Sequence, residues 1–453
     1  MKSHYKVTVY IPCFNYGRYL KESIESVLRQ THKNWELLLI DECSSDNSFE
    51  IMQLYKNDPR VRIFQTKNIG LPGNANLAAK ESLGEYIIRL DADDIFDENN
   101  ILVLSNYLDI YKDVAIVFPD YYLIDETGCV FSQTRKQPLY LEDHSFDVPP
   151  NGASIMVRKS ILNKVGGYRV DLGAQDGLDL WTKITKEHKS ANVNLPLFYY
   201  RKHGNNLTKN TAHIIHARQE IKKDIAIKKY SEFGPIVAVI PCRKNYDFVD
   251  NLWKQKIDKK NLLEMAIDKC VKSKIFTNII ITSDTEEVLK YVNKYDDPRI
   301  KFMKRDTEST SLSCPVVKTL EKIIAKVDPE FKGLCFLAAL QAPFIKTPTI
   351  EELINNLIIN DSDSSLLVKE IDSPVFQKSP HGLNQLNFKS FIINDFDTLY
   401  LHTRTCVISK NKNFKNGSLT GSNITSTIID REENIFISNH KDLEYTKFII
   451  KNY

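Results

Sequence analysis

The chain has 453 residues, a length typical of two or three domains that each bury a core. Hydrophobic residues make up 42% and charged residues 26%, as in ordinary globular proteins. The 61 basic residues are balanced by 58 acidic ones, for a net charge of +3. Nucleic-acid-binding domains are usually strongly basic, so this balance predicts no nucleic-acid partner.

The eight cysteines are scattered and no pair has CxxC spacing, which argues against a disulfide framework or a zinc site. The first six residues lead directly into a strand-like run, so we expect no signal peptide. No apolar run approaches the ~18 residues that span a bilayer. These observations predict a cytoplasmic protein, with any membrane contact limited to the cytoplasmic surface of the inner membrane.

The first half alternates strand and helix patterns, which is typical of a parallel α/β sheet. In such sheets, ligands bind at the loops that follow the strands. The loops after Ile11, Ile40 and Leu90 are therefore the first candidates. Strands are predicted at 6–11, 36–40, 61–64, 85–90 and 114–118, with helices around 20–28 and at 74–82.

A Lys-rich helical pattern at 211–231 ends at Phe233-Gly234-Pro235, where we place a domain boundary. A solvated linker helix is one interpretation, and contact with an anionic membrane is the other. A second α/β series follows, with strands at 236–240, 278–282, 300–303 and 334–338 and a helix at 262–271. The predicted domains are 1–210, the helical linker 211–234, and 235–453.

The segment Asp91-Ala92-Asp93-Asp94 follows a predicted buried strand. Three carboxylates within four residues repel one another unless other groups offset their charge. Mg²⁺ or Mn²⁺ does so well, because it takes one or two protein carboxylates and completes its shell with water and phosphate oxygens. The alternative is a solvated acidic turn that caps a helix.

Several motifs in fixed order place this cluster in a wider pattern, and the pattern resembles the family 2 glycosyltransferases over about residues 5–210. The resemblance implies the GT-A fold, a nucleotide-sugar donor and inversion at the anomeric centre. The motifs are Val9-Tyr10-Ile11-Pro12-Cys13-Phe14-Asn15, Ile24–Thr31, Leu39-Ile40-Asp41-Glu42-Cys43-Ser44-Ser45-Asp46, Asn68-Ile69-Gly70 and Gly84–Asp94.

The resemblance also assigns roles to donor-site residues. Pro12 would line the nucleotide pocket, and Glu42, which stands where the family commonly has Asp, would contact the base. Asp41 is the preceding acid of that motif and would belong to the same nucleotide-sugar site. Asp93 would be the principal metal contact, and Asp91 would lie on the ribose–diphosphate side. Helix N-capping is the alternative role for Asp41 and for Asp46. The family's Ala-Arg-Asn is Asn74-Ala75-Asn76 here, without the Arg.

Two later motifs complete the resemblance. Gly173-Ala174-Gln175-Asp176 resembles the segment that supplies the general base, and Asp176 takes that position, while Asp179 is expected to be structural. Asn151-Gly152-Ala153-Ser154 resembles the acceptor-side segment. Tyr200-Arg201-Lys202-His203 resembles the closing motif, in which His203 would bind the metal or the diphosphate.

The region 235–453 contains short motifs in a fixed order: Ile240-Pro241-Cys242-Arg243, Ser273–Phe276, Ile281–Asp284, Lys304-Arg305-Asp306, Leu340–Phe344, Gly417–Asn423 and Lys441–Glu444. This series resembles the acylneuraminate cytidylyltransferases, which have a nucleotidyltransferase-like fold. Because related enzymes are commonly dimers, we expect a homodimer through this region.

Two departures predict that this second domain is inactive. The Gly-rich phosphate loop is replaced by Lys244–Asn251, where Asp250 stands in place of a Lys. The family's Asp-Ile-Asp is missing from the stretch Phe436–Asp442. The altered loop would hold a triphosphate poorly, because such loops bind phosphate through backbone N–H groups and cations.

Together these patterns predict two Rossmann-like α/β domains, one of them a hexosyl- or N-acetylhexosaminyl-transferase. Its donor would be a UDP-sugar and its acceptor a glycan of a bacterial surface polysaccharide or lipooligosaccharide. Two alternatives stay open. One is a bifunctional enzyme that also makes a CMP-activated acidic sugar, and the other is a scaffold without catalytic activity.

Overall fold

The computed structural model describes residues 5–67, 69–134, 152–172, 176–204, 211–306, 314–371, 373–380, 382–387 and 399–452. The chain divides into two compact units, Met1–Ile221 and Lys222–Tyr453. The division falls inside the helix Thr211–Ile227.

The first unit alternates strands and helices along most of its length. In chain order its elements are β1 (Val7–Cys13), α1 (Gly17–Leu28), β2 (Trp35–Asp41), α2 (Ser48–Gln53), β3 (Val61–Gln65), α3 (Gly70–Glu81), β4 (Tyr86–Arg89), β5 (Ile95–Phe96), α4 (Asn100–Ile110), β6 (Val114–Ile124), β7 (Val130–Thr134), β8 (Met156–Arg158), α5 (Lys159–Lys164), α6 (Asp176–Ile184), β9 (Lys189–Arg201) and α7 (Thr211–Ile227).

One sheet organises this unit, in the order β3-β2-β1-β4-β8-β6-β9-β5, with β7 paired to β6. The strands β3, β2, β1 and β4 are parallel, as predicted. The sheet then becomes mixed, because β8 runs antiparallel to both β4 and β6. The carboxyl ends of β1, β2 and β4 therefore meet at one edge, and the three candidate loops start there.

Both faces of the sheet are covered, because alternate residues of each strand point to opposite sides. On one face Val7, Val9 and Ile11 pack with apolar residues of α1 and α4. On the other face Tyr10 packs with Ala75 of α3, and α5 and α6 join the same cluster. The fully buried strands read as continuous apolar runs, as expected for a sheet covered on both sides.

Several element bounds differ from the prediction. β1 continues through Pro12 to Cys13, since a parallel register with β2 pairs Pro12 with Ile40. α3 begins at Gly70 and includes Pro72 in its first turn, where a missing backbone N–H leaves no hydrogen bond unmade. β6 runs six residues beyond its predicted end, to Ile124.

The second unit has its own sheet, in the order β14-β13-β10-β15-β19-β16-β20. The first four strands are parallel, and β19 runs antiparallel to β15 and β16. Its elements are β10 (Ile236–Pro241), β11 (Lys256–Ile257), β12 (Lys260–Asn261), α8 (Leu262–Lys272), β13 (Asn278–Ser283), α9 (Leu289–Val292), β14 (Ile300–Lys304), α10 (Val316–Val327), β15 (Leu334–Ala338), α11 (Thr347–Ile359), β16 (Ser364–Ile371), β17 (Phe376–Ser379), β18 (Gly382–Gln385), β19 (Leu399–Lys410), α12 (Lys412–Lys415), β20 (Ile424–Ile428) and α13 (His440–Asn452).

The helix α8 begins where the sequence provides a cap. Asn261 accepts a hydrogen bond from the N–H of Glu264, whose carboxylate accepts one from the N–H of Asn261, which is a capping box at the start of α8. Among the described residues of both units, no helix is long and apolar enough to cross a bilayer.

Candidate functional site

The acidic cluster lies directly after β4, and its three carboxylates point to different partners. Asp91 forms an ion pair with Arg89, with 3.0 Å between Oδ1 and Nε. Asp93 Oδ2 lies 2.8 Å from Nε2 of His203. Asp94 Oδ1 accepts a hydrogen bond of 2.9 Å from the backbone N–H of Arg201. Protein groups therefore offset part of the repulsion within the cluster.

Asp94 is completely buried, and its second carboxylate oxygen has no hydrogen-bond partner among the described residues. Burial, together with the charges of Asp93 and Asp91, raises the pKa of Asp94 well above its usual range. Ser23 of α1 donates to the carbonyls of Ala92 and Asp94 and so fixes the turn from the opposite side. Asp94 thus belongs to the internal framework of the cluster.

His203 is held between two aromatic rings. The ring of Tyr19 stacks on the imidazole at a centroid distance of 5.3 Å and an interplanar angle of 28°. Tyr16 meets the same imidazole edge-on at 5.7 Å. Burial, with the nearby charges of Asp93 and Asp91, raises the pKa of the Tyr16 hydroxyl above its usual value.

Arg201 lies at the end of β9, and only 1% of it is exposed. Its Nε donates to the carbonyl of Asp93 at 2.8 Å, and Nη1 donates to the carbonyls of Asp125 and Glu126. Nη2 forms an ion pair of 2.5 Å with Glu22 of α1. A buried guanidinium needs such partners, and here they join α1, β9 and the acidic cluster.

The residues expected to bind the nucleotide lie at the ends of β1 and β2. Pro12 and Asp41 are buried, and Asp41 accepts hydrogen bonds from the N–H of Ser44 and from Gln65. Glu42 is partly exposed, and its carboxylate accepts a hydrogen bond from the N–H of Gly70, the first residue of α3. Glu42 therefore binds the N-terminus of a helix, where a negative charge is favourable.

Asp46 also binds helix N-termini. It accepts hydrogen bonds from the N–H of Gly17, which begins α1, and from Ser48, which begins α2. Burial raises the pKa of Asp46, but these hydrogen bonds lower it by more, so the pKa lies below its usual value. These contacts fit the alternative role of Asp46 in helix N-capping. That role explains an acid at this position without any ligand.

The proposed base, Asp176, is the first residue of α6, but its side chain and the preceding 173–175 lie outside the described residues, as does Asn151. The backbone of α6 approaches the acceptor-side segment closely, because a Cβ on Gly177 would lie 3.2 Å from Cα of Gly152. A Cβ on Gly152 would in turn lie 2.4 Å from the guanidinium of Arg89. Asp179 is buried and forms an ion pair with Lys183, consistent with a structural role.

Asp93 and His203 provide one carboxylate oxygen and one imidazole nitrogen side by side. Such a pair fits Mn²⁺ or Mg²⁺, which usually bind few protein groups and take further oxygens from water and phosphate. Within the described residues, no group of three or more His, Cys, Asp or Glu side chains is arranged to hold a metal alone. A metal here would therefore take its remaining ligands from water and phosphate oxygens.

In the second unit, the residues that stand where the resembled family binds triphosphate and Mg²⁺ contact one another or nearby protein groups. The N–H of Lys244 donates to Asp284, and Asn245 and Asp250 form a β-bridge, so the loop that replaces the Gly-rich one folds back on itself. Asp442 accepts hydrogen bonds from the N–H and hydroxyl of Ser438 at the start of α13. The remaining acid of that stretch is thus a helix cap.

Asn76 has a role that the sequence analysis did not identify. Its side-chain amide donates to the carbonyl of Tyr168 at 2.8 Å, and its oxygen accepts from the N–H of the same residue at 2.9 Å. Asn76 therefore binds the segment that leads toward α6. Tyr19 and Arg201 were also overlooked as functional residues, because their partners are distant in sequence.

The family-model match lies within the first unit. The family model "Glycosyl transferase family 2" matches residues 8–166. Glycosyltransferase GlyG of Streptococcus pneumoniae is 39% identical over 123 residues, which cover 27% of this chain and 40% of GlyG. The Escherichia coli UDP-Glc:alpha-D-GlcNAc-diphosphoundecaprenol beta-1,3-glucosyltransferase WfgD is 25% identical over 192 residues, 42% of this chain and 74% of WfgD.

A crystal structure of Staphylococcus aureus TarS 1–349 in complex with UDP-GlcNAc superimposes with a TM-score of 0.43 at 18% identity, covering 49% of this chain and 66% of TarS 1–349. The chain spans between 17% and 40% of the length of the first five curated relatives it matches. Residues 8–166, which contain the acidic cluster and the loops after β1 and β2, are a family 2 glycosyltransferase domain.

Proposed function

We propose that the chain is a metal-dependent, inverting glycosyltransferase. It would move a hexosyl or N-acetylhexosaminyl group from a UDP-sugar to a glycan acceptor in the synthesis of a bacterial surface polysaccharide or lipooligosaccharide. The observation that carries the proposal is the 2.8 Å pairing of Asp93, inside the family 2 domain at residues 8–166, with His203 at the carboxyl edge of the sheet. The name of WfgD supports the same class of donor.

The donor would bind at the edge formed by the ends of β1, β2 and β4. Pro12, Asp41 and Glu42 would line the nucleotide side, and Asp91 would face the ribose and diphosphate. Asp93 and His203 would hold Mn²⁺ or Mg²⁺, which, when bound, would neutralise charge on the leaving diphosphate.

The acceptor hydroxyl would lose its proton to the carboxylate of Asp176. Its oxygen would then form a bond to the anomeric carbon while the bond to the diphosphate oxygen breaks, and this single displacement inverts the anomeric centre. A base requires an ionised carboxylate, and the proposal assigns this role to Asp176, the first residue of α6. General base catalysis of this kind typically contributes ~10²–10⁴-fold.

The setting that suits a surface-glycan acceptor is the cytoplasm, with peripheral contact at the inner membrane. The proposal for the second unit is a domain of nucleotidyltransferase-like fold without CTP-dependent activity. Two observations support this. The loop folds back through the bridge of Asn245 with Asp250, and Asp442 caps a helix, whereas a triphosphate–Mg²⁺ site typically has an open Gly-rich loop and carboxylates available to the metal.

A screen of nucleotide sugars for hydrolysis and transfer, with Mn²⁺, Mg²⁺ or EDTA, tests the proposal. We expect a UDP-sugar to be turned over only with metal, and Asp93→Ala and Asp176→Asn to lower transfer at least about 100-fold. Asp113→Asn is the matched control, because Asp113 is an exposed carboxylate paired with Lys189 on the surface. Full transfer activity in either site variant would contradict the assignments.

A further inference from the structure

His203 follows β9, and its Nε2 faces Asp93, 110 positions earlier in the chain. The first turn of α1 also lies against the imidazole. Tyr19 covers one face of the imidazole, and Tyr16, the residue before α1, meets it edge-on. Aromatic pairs at 4.5–7 Å have preferred geometries, so the two tyrosines restrict rotation of the ring.

Tyr19 is itself held in place by cations. The guanidinium of Arg201 lies 4.8 Å from the centre of the Tyr19 ring, and that of Arg18 lies 5.0 Å away. Cations within about 6 Å of a ring are attracted to its face. Arg18 also pairs with Glu126, which lies in the segment whose carbonyls bind Arg201.

These contacts form a closed circuit. The carbonyl of Asp93 binds Arg201, Arg201 lies over Tyr19, Tyr19 stacks on His203, and Nε2 of His203 lies against the carboxylate of the same Asp93. Glu22, one turn after Tyr19, fixes Arg201 from α1. Each member is placed by the others, so the loss of the Tyr19 ring removes support from His203 without removing any group of the acidic cluster.

We propose that Tyr19 and Arg201 are positioning residues that aim the imidazole of His203 at Asp93. This inference rests on the proposed function, because that function gives the Asp93–His203 pair its role. The contacts that form the circuit do not depend on the function. Tyr19 would touch neither donor nor acceptor. Its effect would pass through His203, since a displacement of about 1 Å in a positioned group can cost ~10²-fold in rate.

The test compares Tyr19→Leu, which removes the ring, with Tyr19→Phe, which keeps it, each in the wild-type and His203→Gln backgrounds. In the wild-type background we expect Tyr19→Leu to lower kcat about 10- to 100-fold and Tyr19→Phe to change it less than about twofold. In the His203→Gln background Tyr19→Leu should have less than about a twofold further effect, because there is no imidazole left to aim.

Thermal unfolding of the same four variants gives a readout that needs no substrate. Tyr19→Leu should lower the melting temperature more in the wild-type background than beside His203→Gln, because the stacking contact is present only in the former. Equal losses of kcat in both backgrounds, or equal shifts of melting temperature in both, would overturn the inference. An inactive wild-type protein would count against the proposed function. The melting temperatures would still show whether Tyr19 supports His203.

Discussion

Gly177, in the first turn of α6, rests directly against Gly152, so a Cβ at position 177 would lie 3.2 Å from Cα of its neighbour. Gly152 lies in turn against the guanidinium of Arg89, which pairs with Asp91. This stack joins the helix that begins at Asp176 to the strand that leads into the acidic cluster. It fixes the distance between the proposed base and the proposed donor site.

Gly177→Ala should therefore move the start of α6 while leaving the donor edge intact. We expect transfer to the acceptor to fall about tenfold or more, since small displacements of a base are costly. Metal-dependent hydrolysis of the donor serves as the internal control and should fall less. The prediction is wrong if transfer and hydrolysis decrease together, or if neither changes.

Asn76→Ala should destabilise the first unit, because it leaves the N–H and carbonyl of Tyr168 without their partner. Two such hydrogen bonds correspond to a loss of roughly 1–3 kcal/mol in the free energy of unfolding. Asn76→Asp keeps an acceptor for the N–H of Tyr168 but loses the donor, so it should fall in between. Urea unfolding measures the series, and an unchanged midpoint in Asn76→Ala would refute the role given to this amide.

Lys269 should make the stability of the second unit depend on alkaline pH. Burial lowers the pKa of Lys269 from 10.5 to about 8, although its Nζ donates to the carbonyls of Ala342 and Pro343. Below pH 8 both folded and unfolded chains carry the proton, and the folded state bears the full cost of burying it. Between about pH 8 and 10.5 the unfolded chain binds more protons, so the contribution of Lys269 to the free energy of unfolding rises with pH.

The rise amounts to at most about 3 kcal/mol, from 1.36 kcal/mol per pKa unit. It is measured as the difference between wild type and Lys269→Met in urea unfolding at pH 7.5 and pH 10, which cancels the other groups that titrate there. Lys272→Met is the control, because Lys272 is exposed on the same helix. Parallel pH profiles for wild type and Lys269→Met would exclude the effect.

Self-association through the β17–β18 hairpin is a further prediction. The hairpin pairs only with itself among the described residues, and Phe376 and Leu383 are 51% and 68% exposed on one face. Isolated two-stranded hairpins are marginal in water, so covering this face should stabilise it.

We expect light scattering to give twice the 52.2 kDa of one chain. Phe376→Asp with Leu383→Asp should restore the monomer, whereas Ile110→Asp on the first unit should not; a monomeric wild type would disprove the dimer.

The full chain should release no pyrophosphate from CTP in the presence of a nonulosonic acid and Mg²⁺. The loop Lys244–Asn251 folds back through the bridge of Asn245 with Asp250, and it lacks the glycines that bring backbone N–H groups to phosphate. A coupled pyrophosphate assay checks this. Turnover that Arg243→Ala abolishes would favour the bifunctional alternative instead.

The sequence was most informative where the signal is local. The strand that ends in Asp41 and the helix that begins at Leu262 were predicted to within a residue or two, because each has an apolar run or period of its own. The three-residue strand β8 was missed, since so short a run has no period and is fixed by antiparallel pairing with β4 and β6. The mixed part of the sheet was missed with it.

The same distinction applies to the candidate site. The acids were identified from a compact motif, and the structure brings Asp93 and His203 together. The long-range contacts of Tyr19, which stacks on His203, and of Asn76, which binds Tyr168, follow no local pattern. Asn76 binds a residue 92 positions away, and Arg201 binds one 179 positions away. Such contacts depend on how the sheet brings distant segments together, which one sequence does not encode in any short window.

The circuit around His203 also has a consequence for the order in which the protein is made. The acidic cluster is synthesised more than a hundred residues before the imidazole that faces it. A nascent chain that stops short of Arg201 has all three carboxylates but lacks the cation and the ring that orient them. During translation the donor site should therefore mature late, after the last strand of its sheet has emerged, and long-range closure of this kind is slow.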